Sequence, residues 1–424
     1  MNFISIKNQS KEQIMGSEAK VIWIINQYAS HLETRHLELA KSFAQQGYRV
    51  AIITSSFHHG RHEYLYDVPV QLVERSENVF YAYLHSEPEY HNNGSKRVLN
   101  MLDFCRRFSL AQNEIEQRTG KPCFVIGSSA HPFVWESAWT CAKRYNAKFI
   151  AEFRDIWPLS LVEVQGVNPR HPFVILLGLI EKRAYRRADA IVSTLEYAYK
   201  HVCEVSGVSR EKVYWIPNGI NTAETDRLLM TEAELPEELR SYVQDHWCCV
   251  YAGSIAKCEC IDYLLKTFCS IRDEDIFLAI IGDGPEKNRL KALSDQYKLE
   301  NVRFFPAVSK NQVHAILQYA NCCIAAVPDL PLYHFGLSVN KLNDYLYSGK
   351  PVVIACNTEN IVSRAGHFTV PFGEPQALAE KIKAVKELSP EQLSDLSERG
   401  KKLIRDEYDL NTNGVKYLKM MESL

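Results

Sequence analysis

The sequence lacks the features that mark several large classes of protein. Its longest apolar run, FVILLGLI from Phe173 to Ile180, is far shorter than the ~20 residues that a helix needs to span a bilayer. The formal net charge is −2, so no global basic field points to nucleic acid. The first twenty residues contain no apolar core of a signal peptide. We therefore expect residues 1–19 to form a polar extension, with Met15 as an alternative start.

Several catalytic signatures are also missing. The sequence contains no P-loop, no H-E-x-x-H zinc motif and no Ser-His-Asp nucleophile elbow. The first strand-to-helix crossover, from Asn26 to Gln46, has no glycine, whereas a dinucleotide fingerprint places G-x-G-x-x-G there. These absences argue against an NAD or FAD enzyme built on the first domain, and against hydrolases and nucleotidases of those types.

The twelve cysteines do not form a recognisable metal site. Two adjacent pairs lie in strand-like runs, where neighbouring side chains point to opposite faces, at 248–249 and 322–323. Cys258 and Cys260 have a C-x-C spacing with no second ligand pair nearby, so we predict no metal there. Reduced thiols in a cytoplasmic protein account best for this usage.

The pattern of the chain predicts an α/β fold. Its 424 residues exceed one typical core, and 46% hydrophobic with 24% charged residues is typical of a globular protein. Short β-branched runs alternate with helical segments, which predicts two Rossmann-like domains with parallel sheets. The predicted strands are 21–25, 49–54, 80–84, 123–127, 148–153, 190–194 and 212–217 in the first half, and 248–253, 276–282, 302–305, 322–327 and 351–355 in the second.

The charged, strand-free stretch 221–246 is predicted to be a linker between two domains. The N-terminal Rossmann-like domain would cover 20–220 and the C-terminal one 247–404, while a final helix over 405–424 could pack back on the N-terminal domain. Ligands of open α/β sheets bind beyond the carboxyl ends of the strands. We therefore expect the site in a cleft where the two sheets face each other.

Polar residues follow several strands of the first half. Arg35 and His36 lie at the start of the first crossover helix, and His131 follows the strand 123–127. Arg154 and Asp155 come directly after the strand 148–153. A carboxylate at such a strand end can orient a hydroxyl or stabilise positive charge. Structural ion pairs and buried histidines are the alternative interpretation of these residues.

The second half has two small turns after strands. Gly253 and Ser254 follow one strand with Lys257 nearby, a combination that suits a pyrophosphate. Gly282 and Asp283 follow the next strand, although G-x-G-P is mainly a tight strand-to-helix turn. Two residues after the strand 302–305 could line a base pocket, Pro306 and Val308.

The stretch FGLSVNKLNDYLYSGKPVVIA, residues 335–355, predicts a short helix followed by a buried strand. Ser338 is a suitable N-cap and Gly349 a suitable C-cap. Asn340 and Asp344 lie one turn apart, off the apolar stripe. The helix N-terminus, with Lys341 beside it, favours an anion, and Asp344 could accept from ribose hydroxyls. An ordinary capped surface helix has the same pattern.

Together these motifs resemble those of the retaining GT-B glycosyltransferases of family four. Within that family the sequence is most similar to the branch that builds bacterial O-antigens and capsules, including N-acetyl-fucosaminyltransferases. The resemblance covers residues 20 to 420. It rests on the order of INQYA with TRHLELAK, SSAHP, EFRDIWP with YRRADAIV, WIPNGI, YAGS, GDGPEKNRL and SVNKLNDYLYSGKPV.

The resemblance implies a nucleotide-sugar donor, UDP-linked, in the second domain, with no metal or other cofactor. Asp344 would bind the ribose, while Asn340, Lys341 and Lys257 would lie beside the diphosphate. Asp155 would be the cleft acid near the reacting sugar, in a front-face, retaining reaction. Together with the strand-end residues described above, we expect Asp155, Lys257 and His131 in catalysis, Gly253, Ser254, Gly282, Asp283, Pro306, Val308 and Ser338 in further donor contacts, and Arg35, His36 and Arg154 on the acceptor side.

The sequence also departs from the family's pattern. Ser254 stands where the family usually has Arg, and Glu259 and Cys260 stand where it has Lys-Gly. Of the family's two paired acidic positions, only the second is filled, by Asp344. These departures concentrate in the predicted phosphate site.

The same resemblance implies a lipid-linked or oligosaccharide acceptor in surface polysaccharide synthesis, such as lipopolysaccharide O-antigen or capsule. We expect a cytoplasmic protein that could touch the inner face of the plasma membrane through two basic and apolar segments, 95–108 and 171–190. Core packing is the alternative interpretation of the second segment. The other functions that we consider are a GT-B-type nucleotide-sugar epimerase and a catalytically silent scaffold that binds a nucleotide sugar.

Overall fold

The computed structural model describes residues 20–29, 34–92, 94–230 and 233–424. Within these ranges the chain forms two α/β domains, each built on a largely parallel sheet with helices on both faces. The extension predicted over 1–19 lies outside the described residues.

The first domain alternates strands and helices, as its sequence pattern predicts. Its strands are β1 (Val21–Ile25), β2 (Arg49–Ser55), β3 (Phe57–His58), β4 (Glu63–Tyr64), β5 (Val70–Ser76), β6 (Val79–Leu84), β7 (Phe124–Ser129), β8 (Lys148–Phe153), β9 (Ala190–Ser193) and β10 (Val213–Trp215). Its helices are α1 (Thr34–Gln45), α2 (Ser95–Thr119), α3 (Phe133–Tyr145), α4 (Leu159–Glu163), α5 (Pro172–Arg187) and α6 (Ala198–Ser206), with a 3-10 turn at Arg210–Lys212.

Eight of the described strands form one sheet in the order β10-β9-β8-β7-β1-β2-β6-β5. All neighbours pair in parallel except β5, which pairs antiparallel with β6 across a turn at Asn78, whose φ is 62°. The sequence analysis did not predict β5, because an edge strand is only half-buried and lacks a continuous apolar run. β3 and β4 form a separate small hairpin.

The second domain has a six-stranded, fully parallel sheet within the described residues. Its strands are β11 (Cys248–Ala252), β12 (Phe277–Ile281), β13 (Val302–Phe305), β14 (Cys322–Ala326), β15 (Val352–Ala355) and β16 (Phe368–Val370), in the order β13-β12-β11-β14-β15-β16.

The helices of the second half surround this sheet and end on the first domain. They are α7 (Thr222–Leu229), α8 (Glu237–Gln244), α9 (Ile261–Cys269), α10 (Lys287–Gln296), α11 (Lys310–Tyr319), α12 (Asn340–Tyr347), α13 (Ile361–Arg364), α14 (Pro375–Lys386), α15 (Pro390–Glu407) and α16 (Leu410–Glu422), with 3-10 turns at Lys257–Glu259 and Pro331–Phe335. None of the helices described has both the length and the apolar character needed to cross a membrane.

The stretch 221–246, predicted to be a linker, forms α7 and α8 instead. Leu239, Tyr242 and Val243 recur at helical spacing and are buried in the core of the second domain. The Tyr347 hydroxyl donates to Asp226 at 2.8 Å, which ties α7 to α12. The second domain therefore begins immediately after the chain leaves the first.

The chain crosses between the domains twice, and the two crossings lie side by side. The Ile220 N–H donates to the Tyr408 carbonyl at 3.1 Å, and the Leu410 N–H donates to the Ile220 carbonyl at 2.9 Å. A Cβ on Gly219 would lie 1.7 Å from the Tyr408 carbonyl oxygen, so only glycine fits at this crossing. After the return, α16 packs against α1, and Tyr417 joins the core of the first domain.

Candidate active site

A cleft of about 1000 Å³ lies between the domains, at the carboxyl edges of both sheets. The first domain contributes a short wall that includes Arg154, Asp155 and Leu195, from the ends of β8 and β9. The second domain contributes the turns after β11, β12, β13 and β14 and the start of α12. This is where parallel α/β sheets place their ligands.

Asp344 reaches into the cleft from α12. Leu342, Tyr345 and Leu346 bury the opposite side of this helix, which turns the carboxylate toward the opening. The Asp344 side chain is 17% exposed, and its Oδ1 atom is buried with no hydrogen-bond donor among the described residues. A buried acceptor without a donor is costly, so this atom suits a ligand hydroxyl.

A histidine and a lysine lie near that carboxylate. His314 Nε2 is 3.7 Å from Asp344 Oδ1, and Lys310 lines the cleft at the start of α11. Burial raises the pKa of Asp344, while Lys310 and His314 act in the opposite direction. Neither residue was singled out from the sequence, although Lys310 follows β13 at the strand end where site residues are expected.

An apolar strip lies beside this group. Ala307, Val308 and Val313 line the cleft next to Val327, at the ends of β13 and β14. Val308 is therefore placed as predicted, whereas Pro306 is exposed and is not among the residues that line the cleft. The strip gives this part of the cleft an apolar surface.

Lys341 also lies at the start of α12, where it contacts β11 and the turn that follows this strand. Its Nζ donates to the Tyr251 hydroxyl at 2.8 Å and to the Glu259 carboxylate. A Cβ on Gly253 would lie 2.9 Å from Lys341 Cε, so the glycine leaves space for the lysine. Burial lowers the pKa of Lys341, and Glu259 opposes that shift. The cation, Glu259 and Gly253 all line the cleft.

The two glycine turns pack against each other. A Cβ on Gly282 would lie 1.9 Å from the Gly253 carbonyl oxygen, so the close approach of the turns after β11 and β12 requires glycine. Asp283 Oδ1 accepts from the Gly284 N–H at 2.9 Å. Gly253, Ser254, Gly282 and Asp283 all line the cleft. Together the turns form one wall beside Lys341.

Two details of the predicted phosphate site differ in the structure. Lys257 is exposed in its 3-10 turn and is not among the residues that line the cleft, because the turn directs Cys258 and Glu259 there instead. The Ser338 hydroxyl accepts from Asn218 Nδ2 at 3.0 Å and does not cap α12. The helix starts at Asn340, with Val339 as its N-cap residue. Ser338 and Asn340 do line the cleft.

Arg35 and His36 lie in the core of the first domain, where they cannot face an acceptor. Arg35 donates to Glu152 at 3.1 Å and to the Pro217 carbonyl at 2.9 Å. His36 Nε2 is 2.8 Å from the Ser128 hydroxyl and 3.5 Å from Glu152. Burial alone would raise the pKa of Glu152, but Arg35, His36 and Ser128 hold it well below its usual range. Both residues were predicted to lie on the acceptor side of the cleft, and the structure places them in the core instead.

His131 is also buried, and it does not line the cleft. Its Nε2 lies 2.6 Å from Gln27 Oε1, and Gln27 in turn donates to Asn100 at 2.6 Å. Burial lowers the pKa of His131 to about 3, and Arg97 acts in the same direction. The imidazole is therefore neutral near pH 7 and does not supply a proton to the cleft from this position.

Arg154 and Asp155 are the predicted first-domain residues that reach the cleft. Asp155 is exposed to the cleft. Desolvation by the cleft walls raises the pKa of its carboxyl group, and the positive charge of Arg154 opposes that rise. The structure thus brings Asp155, Lys341 and Asp344 into one cavity from positions far apart in the chain.

Two family models match the chain. One, described as Glycosyltransferase Family 4, matches residues 32–224, and the other, described as Glycosyl transferases group 1, matches residues 239–403. WcaI of Escherichia coli K12, whose name assigns it to colanic acid biosynthesis as a glycosyl transferase, is 22% identical over 292 residues. That match covers 67% of this chain and 70% of WcaI.

Solved structures share the whole two-domain arrangement. Sucrose-phosphate synthase from Thermosynechococcus elongatus superposes with a TM-score of 0.71 at 16% identity, covering 95% of this chain and 98% of that one. HepE of Anabaena in complex with UDP and glucose gives a TM-score of 0.63 at 13% identity, covering 96% and 100%. These matches confirm the expected GT-B fold.

Proposed function

Because this chain is a glycosyltransferase of the GT-B fold, we propose that it moves a sugar from a UDP-sugar to a lipid-linked or oligosaccharide acceptor, with retention, in the synthesis of a surface polysaccharide such as O-antigen or capsule. The observation that carries the donor half is the buried, donor-free Oδ1 of Asp344 beside an apolar strip. HepE with bound UDP, and the assignment of WcaI to colanic acid synthesis, support the donor and acceptor classes.

Each part of the donor has a place in the cleft. The base lies on the strip around Val308, and the ribose hydroxyls donate to Asp344. The diphosphate lies at the start of α12, where backbone N–H groups and Lys341 face the opening. Stabilising the charge of the departing diphosphate is the main catalytic contribution of such a site. Lys341 takes the role that the sequence suggested for Lys257.

The transferred sugar would lie between the diphosphate and Asp155. A carboxylate at that position can stabilise the positive charge that develops on the sugar ring in an oxocarbenium-like transition state. The family resemblance supports retention by a front-face route. The measurement is the anomeric configuration of the product by NMR, and an inverted product would overturn this part of the proposal.

The donor assignment is tested by calorimetry with UDP in EDTA. We expect binding without a metal, and weakening in Asp344→Asn by about 1.5–3 kcal/mol, the value of a hydrogen bond to a charged group. Asp329→Asn is the matched control, because Asp329 lies outside the cleft and accepts from Asn357 at 3.0 Å. Equal affinities for the two variants would overturn the ribose assignment.

The reaction is tested by turnover of UDP-sugars with and without a bacterial lipid extract. Transfer predicts that UDP is released and the lipid-linked glycan grows only when both substrates are present. Turnover of donor without acceptor would favour an epimerase or a hydrolase. Binding of UDP with no turnover under any condition would favour a silent scaffold.

A membrane surface is the proposed source of the acceptor. Leu99 and Leu102 on α2, and Ile175, Leu176 and Leu179 on α5, are exposed, Leu179 by 61%. Since α2 follows β6 and α5 precedes β9, both groups lie toward the carboxyl edge of the sheet, near the cleft. The helix α3 packs against both α2 and α5.

Exposed cations flank these side chains, Lys96 on α2 and Lys182 on α5. An apolar group with a basic border is typical of proteins that rest on anionic lipid. We expect the protein to sediment with vesicles of phosphatidylglycerol and phosphatidylcholine, and the double variant Ile175→Ser, Leu179→Ser to lose most of that binding. Leu110→Ser is the control, because Leu110 is also exposed on α2 but lies farther from the cleft. Equal loss in the control would contradict a defined surface.

A further inference from the structure

The charges that line the cleft do not favour an anion as they stand. A nucleoside diphosphate carries at least two negative charges, so its site needs unpaired positive charge. Among the described residues, the cleft is lined by three cationic side chains and four carboxylates, Arg154, Lys310 and Lys341 against Asp155, Glu259, Asp283 and Asp344. The donor proposed above must therefore displace or outcompete carboxylates of the protein.

The contact between Glu259 and Lys341 is the one that the diphosphate would meet. The two residues lie 82 positions apart and come from different elements, the turn after β11 and the start of α12. Their side chains are 24% and 12% exposed, so the pair is partly shielded from water. Tyr251 holds the same ammonium at 2.8 Å. The lysine would stay in place if Glu259 moved away.

Glu259 is better placed to move than Lys341. It lies in a three-residue 3-10 turn beside the exposed Cys258, and Lys341 donates to its carboxylate. Lys341 is held by the helix and by the Tyr251 hydroxyl. A diphosphate at the start of α12 would take the position opposite Lys341 that the carboxylate occupies.

We propose that Glu259 is an internal competitor of the donor diphosphate, which occupies Lys341 in the empty site and releases it when a nucleoside diphosphate binds. This inference rests on the proposed function and adds to it a residue that sets donor affinity. Re-formation of the pair after transfer would favour departure of UDP, whose free terminal phosphate carries more charge than the phosphate of a UDP-sugar. The competitor therefore lowers affinity for the product more than for the donor.

The test is calorimetry of UDP and of UDP-glucose binding to the full chain and to Glu259→Gln. Glutamine keeps the size of the side chain and removes its charge, so we expect UDP to bind about 5- to 10-fold tighter, with a smaller gain for UDP-glucose. Glu286→Gln is the matched control, because Glu286 pairs with Arg289 outside the cleft. It should bind UDP as the parent does.

A double-mutant cycle with Lys341→Met tests the route of the effect. If Glu259 acts through Lys341, Glu259→Gln gives little gain when the lysine is absent. An equal gain in both backgrounds would show a general charge effect and overturn the proposal. Weaker or unchanged UDP binding in Glu259→Gln alone would also overturn it, because Glu259 would then position Lys341 and not compete for it.

The two proposals fail in different ways. If the parent binds UDP through Asp344 while Glu259→Gln gives no gain, the donor site stands and the competitor does not. If neither the parent nor Glu259→Gln binds any nucleoside diphosphate, both are wrong. Binding of a nucleoside diphosphate by Glu259→Gln but not by the parent would mean that Glu259 competes strongly enough to keep the site empty. Circular dichroism and thermal melts of each variant check that the fold is intact.

Discussion

The carboxyl edges of the two sheets carry similar polar residues but use them differently. In the first domain, Arg35, His36 and Glu152 are buried and bond to one another. In the second domain, Asp344 lies at an equivalent edge, yet its Oδ1 has no donor among the described residues and it faces the cleft. The first group stabilises the domain, whereas the second is available to a ligand.

This difference shows that position after a strand does not by itself make a site residue. A polar side chain at a strand end is either paired inside the protein or exposed to the cleft, and its neighbours decide which. Paired groups should affect stability when they are changed and leave binding intact. Cleft groups should do the reverse, and the following predictions test that contrast.

The largest effect is expected for Arg35→Met. Removing the cation leaves Glu152 buried without its main counter-charge, which we expect to destabilise the protein by about 3–5 kcal/mol. Chemical denaturation followed by tryptophan fluorescence measures this loss. Arg227→Met, which breaks the exposed pair of Arg227 with Glu224, should leave stability unchanged. A small effect for Arg35→Met would mean that its pair with Glu152 is not structural.

Gly282→Ala should have the next largest effect. Its Cβ would lie 1.9 Å from the Gly253 carbonyl oxygen, so the two turns beside Lys341 must separate. We expect a loss of about 1–3 kcal/mol of stability, together with weaker UDP binding. Gly207→Ala is the control, because Gly207 has a φ of 71° but nothing within 4 Å of an added Cβ. If both variants bind UDP normally, the turns do not shape the phosphate site.

Asp344→Asn should change stability in the opposite direction to Arg35→Met. Burial raises the pKa of Asp344 above its unfolded value, so the folded protein loses stability as pH rises above about 4 and the group ionises. The variant lacks this penalty and should melt slightly above the parent at pH 7, with a smaller gain near pH 4. A lower melting temperature at pH 7 would show that the ionised carboxylate stabilises the empty site.

Glu152 has the opposite dependence on pH. Its pKa is held low in the folded protein. Its contribution to the free energy of unfolding is therefore present above its unfolded pKa of about 4.3 and is lost as the pH falls further. The destabilisation caused by Arg35→Met should therefore shrink in acid. A difference in stability that stays constant from pH 7 to pH 3 would contradict this account.

The smallest effect concerns the reactivity of Cys258, which is exposed and lines the cleft. Partial burial raises the pKa of the Cys258 thiol. Alkylation by N-ethylmaleimide is therefore best followed at pH 8, by mass spectrometry. Saturating UDP should slow the modification of Cys258 and leave that of Cys203, on α6 of the first domain, unchanged. Equal rates with and without UDP would place the nucleotide elsewhere.

Several features of the fold followed from local pattern. The twelve predicted strands form, with ends shifted by at most two residues, because continuous β-branched and aliphatic runs fit strands buried on both faces. The edge strands β5 and β16 were missed, since they are short or half-buried. The helices α7 and α8 were missed although Leu239, Tyr242 and Val243 show helical spacing, because the surrounding charge resembled a linker.

Local pattern is enough to predict the alternation of strands and helices, the two domains and the strand ends where a site could form. Which polar residues remain available at those strand ends depends on how distant segments meet in the folded protein. Arg35 meets Glu152 across 117 residues and Lys341 meets Glu259 across 82, and no local pattern predicts either contact. The physical reason is that hydrophobic periodicity specifies secondary structure locally, whereas burial and pairing of charge depend on which distant segments the fold brings together.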